Sequence, residues 1–205
     1  GGKIFGFGHA VLRAEDPRRP VVSFLLGHGE VAPDRQPLNR VRQILQRGGL
    51  RIESIRLAEV AEVPASVTVL VAAGPRTALT PGEVQAIERF LDGGGRLLLA
   101  VDPGAVTGLE PLVERRGILV DGRRVRDDGP LTQSLGLGAE TIAVAQVGEH
   151  PVTRGLTSAI ALAGATGVQL APRAIAGTRG TDLLKSGPRA VFLEPAATAG
   201  SGRAP

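Results

Sequence analysis

The run VTVLVAAGPRTALTPGEVQAIERFLDGGGRLLLAVDPG, residues 67–104, reads as strand, helix, strand. Val67 to Ala73 is a nearly continuous apolar run, the mark of a strand covered on both faces of a parallel sheet rather than one with a wet side. Thr80-Pro81-Gly82-Glu83 then supplies an N-cap, a proline in the first turn and a capping-box acid. Behind it Val84, Ile87, Phe90 and Leu91 recur on one helical face. Gly93-Gly94-Gly95 stops the helix, and Arg96 to Val101 is a second buried strand.

The same alternation extends in both directions. Upstream, Val21 to Leu26 is a short apolar run between Pro20 and Gly27, and Leu38, Val41, Ile44 and Leu45 recur at helical spacing before Gly48-Gly49. Arg51 to Leu57 alternates and predicts an outer strand. Downstream, the pattern predicts a helix over Leu109 to Arg115 and a short strand at Ile118 to Val120. Short connections and right-handed crossovers make this an α/β fold: a doubly wound, mostly parallel sheet, flavodoxin-like or Rossmann-like, with helices on both faces. Past Asp121 the sequence turns rich in Gly and Pro, with strands expected at Thr141 to Val147, Ile160 to Ala163 and Val168 to Leu170. The expected organisation is a lead-in over 1–20, the sheet domain over 21–120, a small irregular β-rich extension over 121–195 packing on the same domain, and a tail of small residues over 196–205.

Composition removes several chemistries. There is no Cys, so disulfides, thiolate metal sites and Cys nucleophiles go together. With no Met and an opening Gly1-Gly2-Lys3, the sequence is expected to be an excised or processed fragment, any leader or anchor lying outside it. The formal charge of +4 invites nucleic acid, but aromatic residues are only 2% of the chain, with no Tyr or Trp, so stacking platforms for bases are nearly absent. The one cationic stretch, Arg115-Arg116 with Arg123-Arg124-Val125-Arg126, is read as a solvated face, with an anion or nucleic-acid site as the alternative.

Ligands of open parallel sheets lie beyond the carboxyl ends of the strands. Three loops there carry polar residues: Gly27-His28-Gly29-Glu30, Ala73-Gly74-Pro75-Arg76 and Asp102-Pro103-Gly104. His28, Glu30, Arg76 and Asp102 are therefore the candidate ligand-binding residues, equally suited to holding one another's turns. Gly27 through Ala32 spells G-x-G-x-x-A, but Pro33 and Pro37 push the helix away from the motif, so its amides cannot meet a pyrophosphate and no dinucleotide cofactor is expected. The strand-end turns offer neither Ser nor Cys, which leaves acyl transfer without a nucleophile. A hydrolase-like or metal-dependent enzyme using His28, Glu30 and Asp102 is the alternative to a non-catalytic role, and it requires those side chains to converge. His150-Pro151-Val152-Thr153 reads as a braced turn.

In order, V-V-S-F-L-L-G-H-G-E (21–30), V-P-A-S-V-T-V-L-V-A-A-G-P (63–75), L-T-P-G-E (79–83), G-G-G-R-L-L-L-A-V-D-P (93–103) and H-P-V-T (150–153) resemble the GldG-like auxiliary component of ABC-type transport systems, called gliding-motility-associated in some members. The resemblance implies a domain on the extracytoplasmic side, anchored to the cytoplasmic membrane in the full-length protein, working beside an ABC permease and ATPase. It also implies a sheet like that of class I glutamine amidotransferases without the catalytic Cys. It brings no catalytic residue, cofactor or metal with it.

Overall fold

β1 (Val21–Leu25) is buried along its whole length, Ser23 included, as a mostly apolar run flanked on both faces requires. The computed structural model describes residues 19–171 and 178–193; the expected tail and all but the last two residues of the lead-in lie outside these. After β1 come α1 (Leu38–Arg47), β2 (Arg51–Ile55), α2 (Leu57–Val60), β3 (Val67–Ala73), α3 (Pro81–Asp92), β4 (Arg96–Ala100), α4 (Glu110–Arg115), β5 (Ile118–Arg126) and α5 (Pro130–Ser134). Six short strands follow among the described residues: β6 (Thr141–Ala143), β7 (Gln146–Val147), β8 (Ala161–Ala163), β9 (Thr166–Leu170), β10 (Leu184–Lys185) and β11 (Val191–Phe192). No described helix is long and apolar enough to cross a membrane.

The first four strands form a parallel sheet in the order β2-β1-β3-β4. The chain leaves β1 in one direction to make β2 and returns past β1 to make β3. The winding therefore reverses between β1 and β3, and the loops after those two strands flank the reversal. Alternation along the strands sends side chains to two cores. Leu25, Ile55, Leu70, Ala72 and Leu97 pack with Ala86, Ile87 and Leu91 of α3 and Leu112 of α4 on one face. Val22, Phe24 and Val71 pack with Leu38 of α1 and Leu98 on the other. The sheet is thus covered by helices on both sides, which is why its strands are apolar at successive positions.

Three expectations are corrected. The outer strand stops at Ile55, and Leu57 starts α2 instead, only 2% exposed. Apolar residues two apart satisfy a strand edge and the entry to a helical turn equally well, so the pattern could not separate them. The short strand at Ile118 to Val120 becomes the nine-residue β5, and it does not extend the parallel sheet. It is the middle of a separate antiparallel sheet, β11-β5-β9. A register shift between Val120 and Arg124, where Gly122 takes a φ of 78°, carries the strand past Asp121. The strand expected at Thr141 to Val147 is divided into β6, which pairs with β8, and β7, which pairs with β10.

Candidate functional site

The loop after β1 is folded back onto the loop after β3. Val31 donates its N–H to the carbonyl of Ala73 at 2.9 Å, and the carbonyl of His28 accepts from the N–H groups of Arg76 at 2.7 Å and Thr77 at 3.1 Å. Gly29 makes the approach possible: its φ is 85°, and a Cβ there would lie 3.1 Å from the Cβ of Arg76.

Within this fold-back the Glu30 side chain is wholly buried, and its Oε2 accepts the N–H of His28 at 2.7 Å. Its other oxygen faces Nδ1 of the His28 ring at 3.3 Å. The pair makes no hydrogen bond; it is a close contact between two buried atoms that otherwise lack hydrogen-bond partners. On the far side of the ring Nε2 lies 3.1 Å from Oε2 of Glu83. Glu83 has only acceptors to offer there, so Nε2 carries the proton of this bond.

Glu83 is held by the start of α3. Its Oε2 accepts from the Thr80 N–H at 2.8 Å and the Thr80 hydroxyl at 2.7 Å, while its own N–H reaches Thr80 Oγ1 at 3.4 Å. This is the expected capping box. What the sequence reading missed is the second task of Glu83: it is the third member of a buried chain, Glu30–His28–Glu83. The capping motif marks Glu83 as a fixed carboxylate, but only the β1–β3 adjacency shows which ring it meets.

Burial pushes the Glu83 carboxyl up, but the Thr80 hydrogen bonds with the charge and hydrogen bond of His28 outweigh it, so the group sits below the usual carboxylate range. Glu110 behaves alike. Burial is again opposed, here by the N–H and hydroxyl of Thr107, which donate to its Oε1 at 2.7 and 2.9 Å. Folded carboxyls that protonate later than unfolded ones make the unfolded state bind more protons below about pH 5. Their stabilisation is present above the ordinary carboxyl range and is lost as pH falls through the folded values. We expect the urea midpoint to fall between pH 6 and pH 3 with a slope that Glu83→Gln shallows; an unchanged slope would show that Glu83 is not part of the linkage.

The four candidate residues do not form one cluster. His28 and Glu30 are together. Arg76 packs its stem on Gly29 and is otherwise exposed. Asp102, beyond β4, is exposed, its Oδ2 3.7 Å from where a Cβ of Gly74 would lie, and no hydrogen bond or ion pair joins it to His28 or Glu30. The convergence of His28, Glu30 and Asp102 that a hydrolase-like or metal-dependent site requires is not made. Among the described residues no three His, Cys, Asp or Glu are placed to hold a metal ion.

Elsewhere the polar motifs are tied into their own surroundings. Thr153 Oγ1 accepts the N–H of His150 at 3.1 Å and donates toward the carbonyls of Gly148 and His150, bracing the turn. In the cationic stretch Arg115 pairs with Glu88 at 2.8 Å, Arg116 with Asp92 at 2.6 Å, Arg123 with Asp121 at 2.6 Å and Arg124 with Glu140 at 2.6 Å. Arg123 also lies 4.7 Å over the ring of Phe192. Most of these cations are therefore already matched within the chain.

Residues 19–200 match the sequence profile of a family described as an ABC-type uncharacterized transport system. No curated protein matches the chain. A solved structure titled "mmIFT52 N-terminal domain" is similar, with a TM-score of 0.63 and 20% identity over 82% of this chain and 74% of that one. At that identity the likeness shows a shared fold alone.

Proposed function

Because the chain belongs to the family of auxiliary ABC-type uncharacterized transport systems, we propose that it is a non-catalytic, GldG-like accessory domain, binding a partner subunit or a small polar ligand at the carboxyl edge of its parallel sheet. In this reading it works on the extracytoplasmic side of the cytoplasmic membrane, beside an ABC permease and ATPase, with a membrane anchor in the full-length protein. The strand order β2-β1-β3-β4 supports kinship with flavodoxin-like and class I amidotransferase-like sheets.

The observation that carries the proposal is the state of the β1 and β3 loops. Where an enzyme on such a sheet presents a nucleophile and its base, this chain has a histidine held between two buried carboxylates and hydrogen bonds that stitch the loops together. Its exposed features at this edge are Arg76, Asp102 and Val106, a polar and apolar mixture suited to recognition. The test is transport or co-purification of the permease with Arg76→Ala and Asp102→Ala, both surface changes, beside His28→Ala. Loss of partner contact with the domain still folded supports the reading; full function in all three places the working surface elsewhere.

A further inference from the structure

The antiparallel sheet β11-β5-β9 ends on β9, and the character of that edge is unusual. One side of β9 pairs with β5, Ile118 opposite Leu170, Leu119 opposite Gln169 and Val120 opposite Val168. Ala171 donates its N–H to the carbonyl of Gly117 at 3.0 Å, so Ala171 and Gln169 turn their backbone groups toward β5. By the alternation of an antiparallel ladder, Val168 and Leu170 turn theirs outward. Among the described residues no strand takes them. Their side chains are exposed as well, 62% for Val168 and 57% for Leu170, with Gly180 lying against part of Leu170.

Open edges are ordinarily blunted by charge, by proline or by brevity. β2, an outer strand of the parallel sheet, carries Arg51 and Glu53, ion-paired at 2.8 Å. β11, the opposite edge of the small sheet, is two residues long. β9 uses none of these devices: from Ala161 through Ala171 there is no charged residue and no proline.

We propose that β9 is the joining edge of a twofold dimer, laid antiparallel against β9 of a second copy of this chain. Centred on Val168, the pairing sets Val168 against its own counterpart and Thr166 against Leu170 in both directions, apolar or hydroxyl-bearing residues that suit cross-strand contact. An uncharged edge meets its own copy without repulsion, and a twofold axis uses the same strand on both sides. Register also places Leu170, Ile118, Val168 and Val120 on one face, so the joined sheets merge two apolar strips into one. The result is a continuous six-stranded sheet, β11-β5-β9 meeting β9-β5-β11.

The chain lacks cysteine, which makes a single introduced thiol a clean probe. Hydrogen-bonded antiparallel partners have Cα atoms about 5.5 Å apart, inside the roughly 4.4–6.8 Å that a disulfide spans. In the full chain, Val168→Cys is expected to form a covalent dimer under mild oxidation. Val106→Cys, at a position 69% exposed in the loop after β4, should do so much more slowly. Sedimentation equilibrium should show the wild type passing from monomer to dimer with concentration, and Val168→Lys should weaken that dimer about tenfold or more by setting like charges opposite each other. The substituted position is exposed, so unfolding at concentrations low enough to keep the protein monomeric should be unaffected and serves as the control. A wild type that stays monomeric, or crosslinking at 168 no faster than at 106, would overturn the proposal. So would a dimer indifferent to Val168→Lys.

Discussion

Glu83→Ala is expected to lower stability by about 2–4 kcal/mol, since it removes a helix cap and leaves the buried His28 ring without its hydrogen-bond partner. In a domain of this size that is a fall of roughly 5–15 °C in Tm. Glu110→Ala provides the comparison. It removes a similar pair of bonds from Thr107 but strands no histidine, so about 1 kcal/mol is expected. The difference between the two is the worth of the His28 contact, and the double change of His28 and Glu83 to Ala should cost less than the sum of the single changes. Equal losses in Glu83→Ala and Glu110→Ala would mean that the Glu30–His28–Glu83 chain adds nothing to the cap.

The second large effect is expected in the parallel sheet. Leu70 is fully buried in β3 between the neighbouring strands and α3, and Leu70→Ala should cost about 3–5 kcal/mol through lost burial and the cavity left behind. Leu162→Ala in β8, where the side chain is exposed, should stay within about 0.5 kcal/mol. Urea unfolding gives both numbers. Amide exchange adds the spatial pattern: β1 and β3 should exchange last, and the short strands after residue 140 early, because the buried apolar residues are concentrated before residue 114. Uniform protection across the chain would contradict that division.

The parts of this fold that are legible in sequence are those governed by local rules. The run at Val67–Ala73 needs no partner to be recognised as a covered strand, and Thr80 with Glu83 announces the start of α3 within four residues. Pro33 and Pro37 delay α1 to Leu38, away from the glycine loop. The parts that are not legible depend on which strands are neighbours. Nothing local says that Ile118 leaves the parallel sheet, because its continuation alternates arginine with valine and looks like a wet surface. Backbone pairing with β9 and β11 makes a strand of it, and Asp121, Glu140 and the Phe192 ring take up its arginines. The candidate site divides in the same way. His28 and Glu30 sit two apart on one turn and were found together, whereas Glu83, 55 residues from His28, enters through strand order. Asp102 shares the sheet edge by the same strand-end logic, yet lies beyond β4, a strand further from the winding reversal.

The stitching of the β1 loop to the β3 loop also bears on how fast and at what entropic cost anything can dock there. Three backbone hydrogen bonds between the loops, from Val31, Arg76 and Thr77, hold the mouth of the sheet in one shape before any encounter. If, as proposed, a partner engages this edge, it would have neither of these two loops to freeze, and docking there would be close to rigid-body, with little of the contact energy consumed in ordering backbone. Under that proposal, selectivity would rest on the outward side chains the mouth presents, and changing them would alter partner choice while the hydrogen-bonded frame beneath stays fixed.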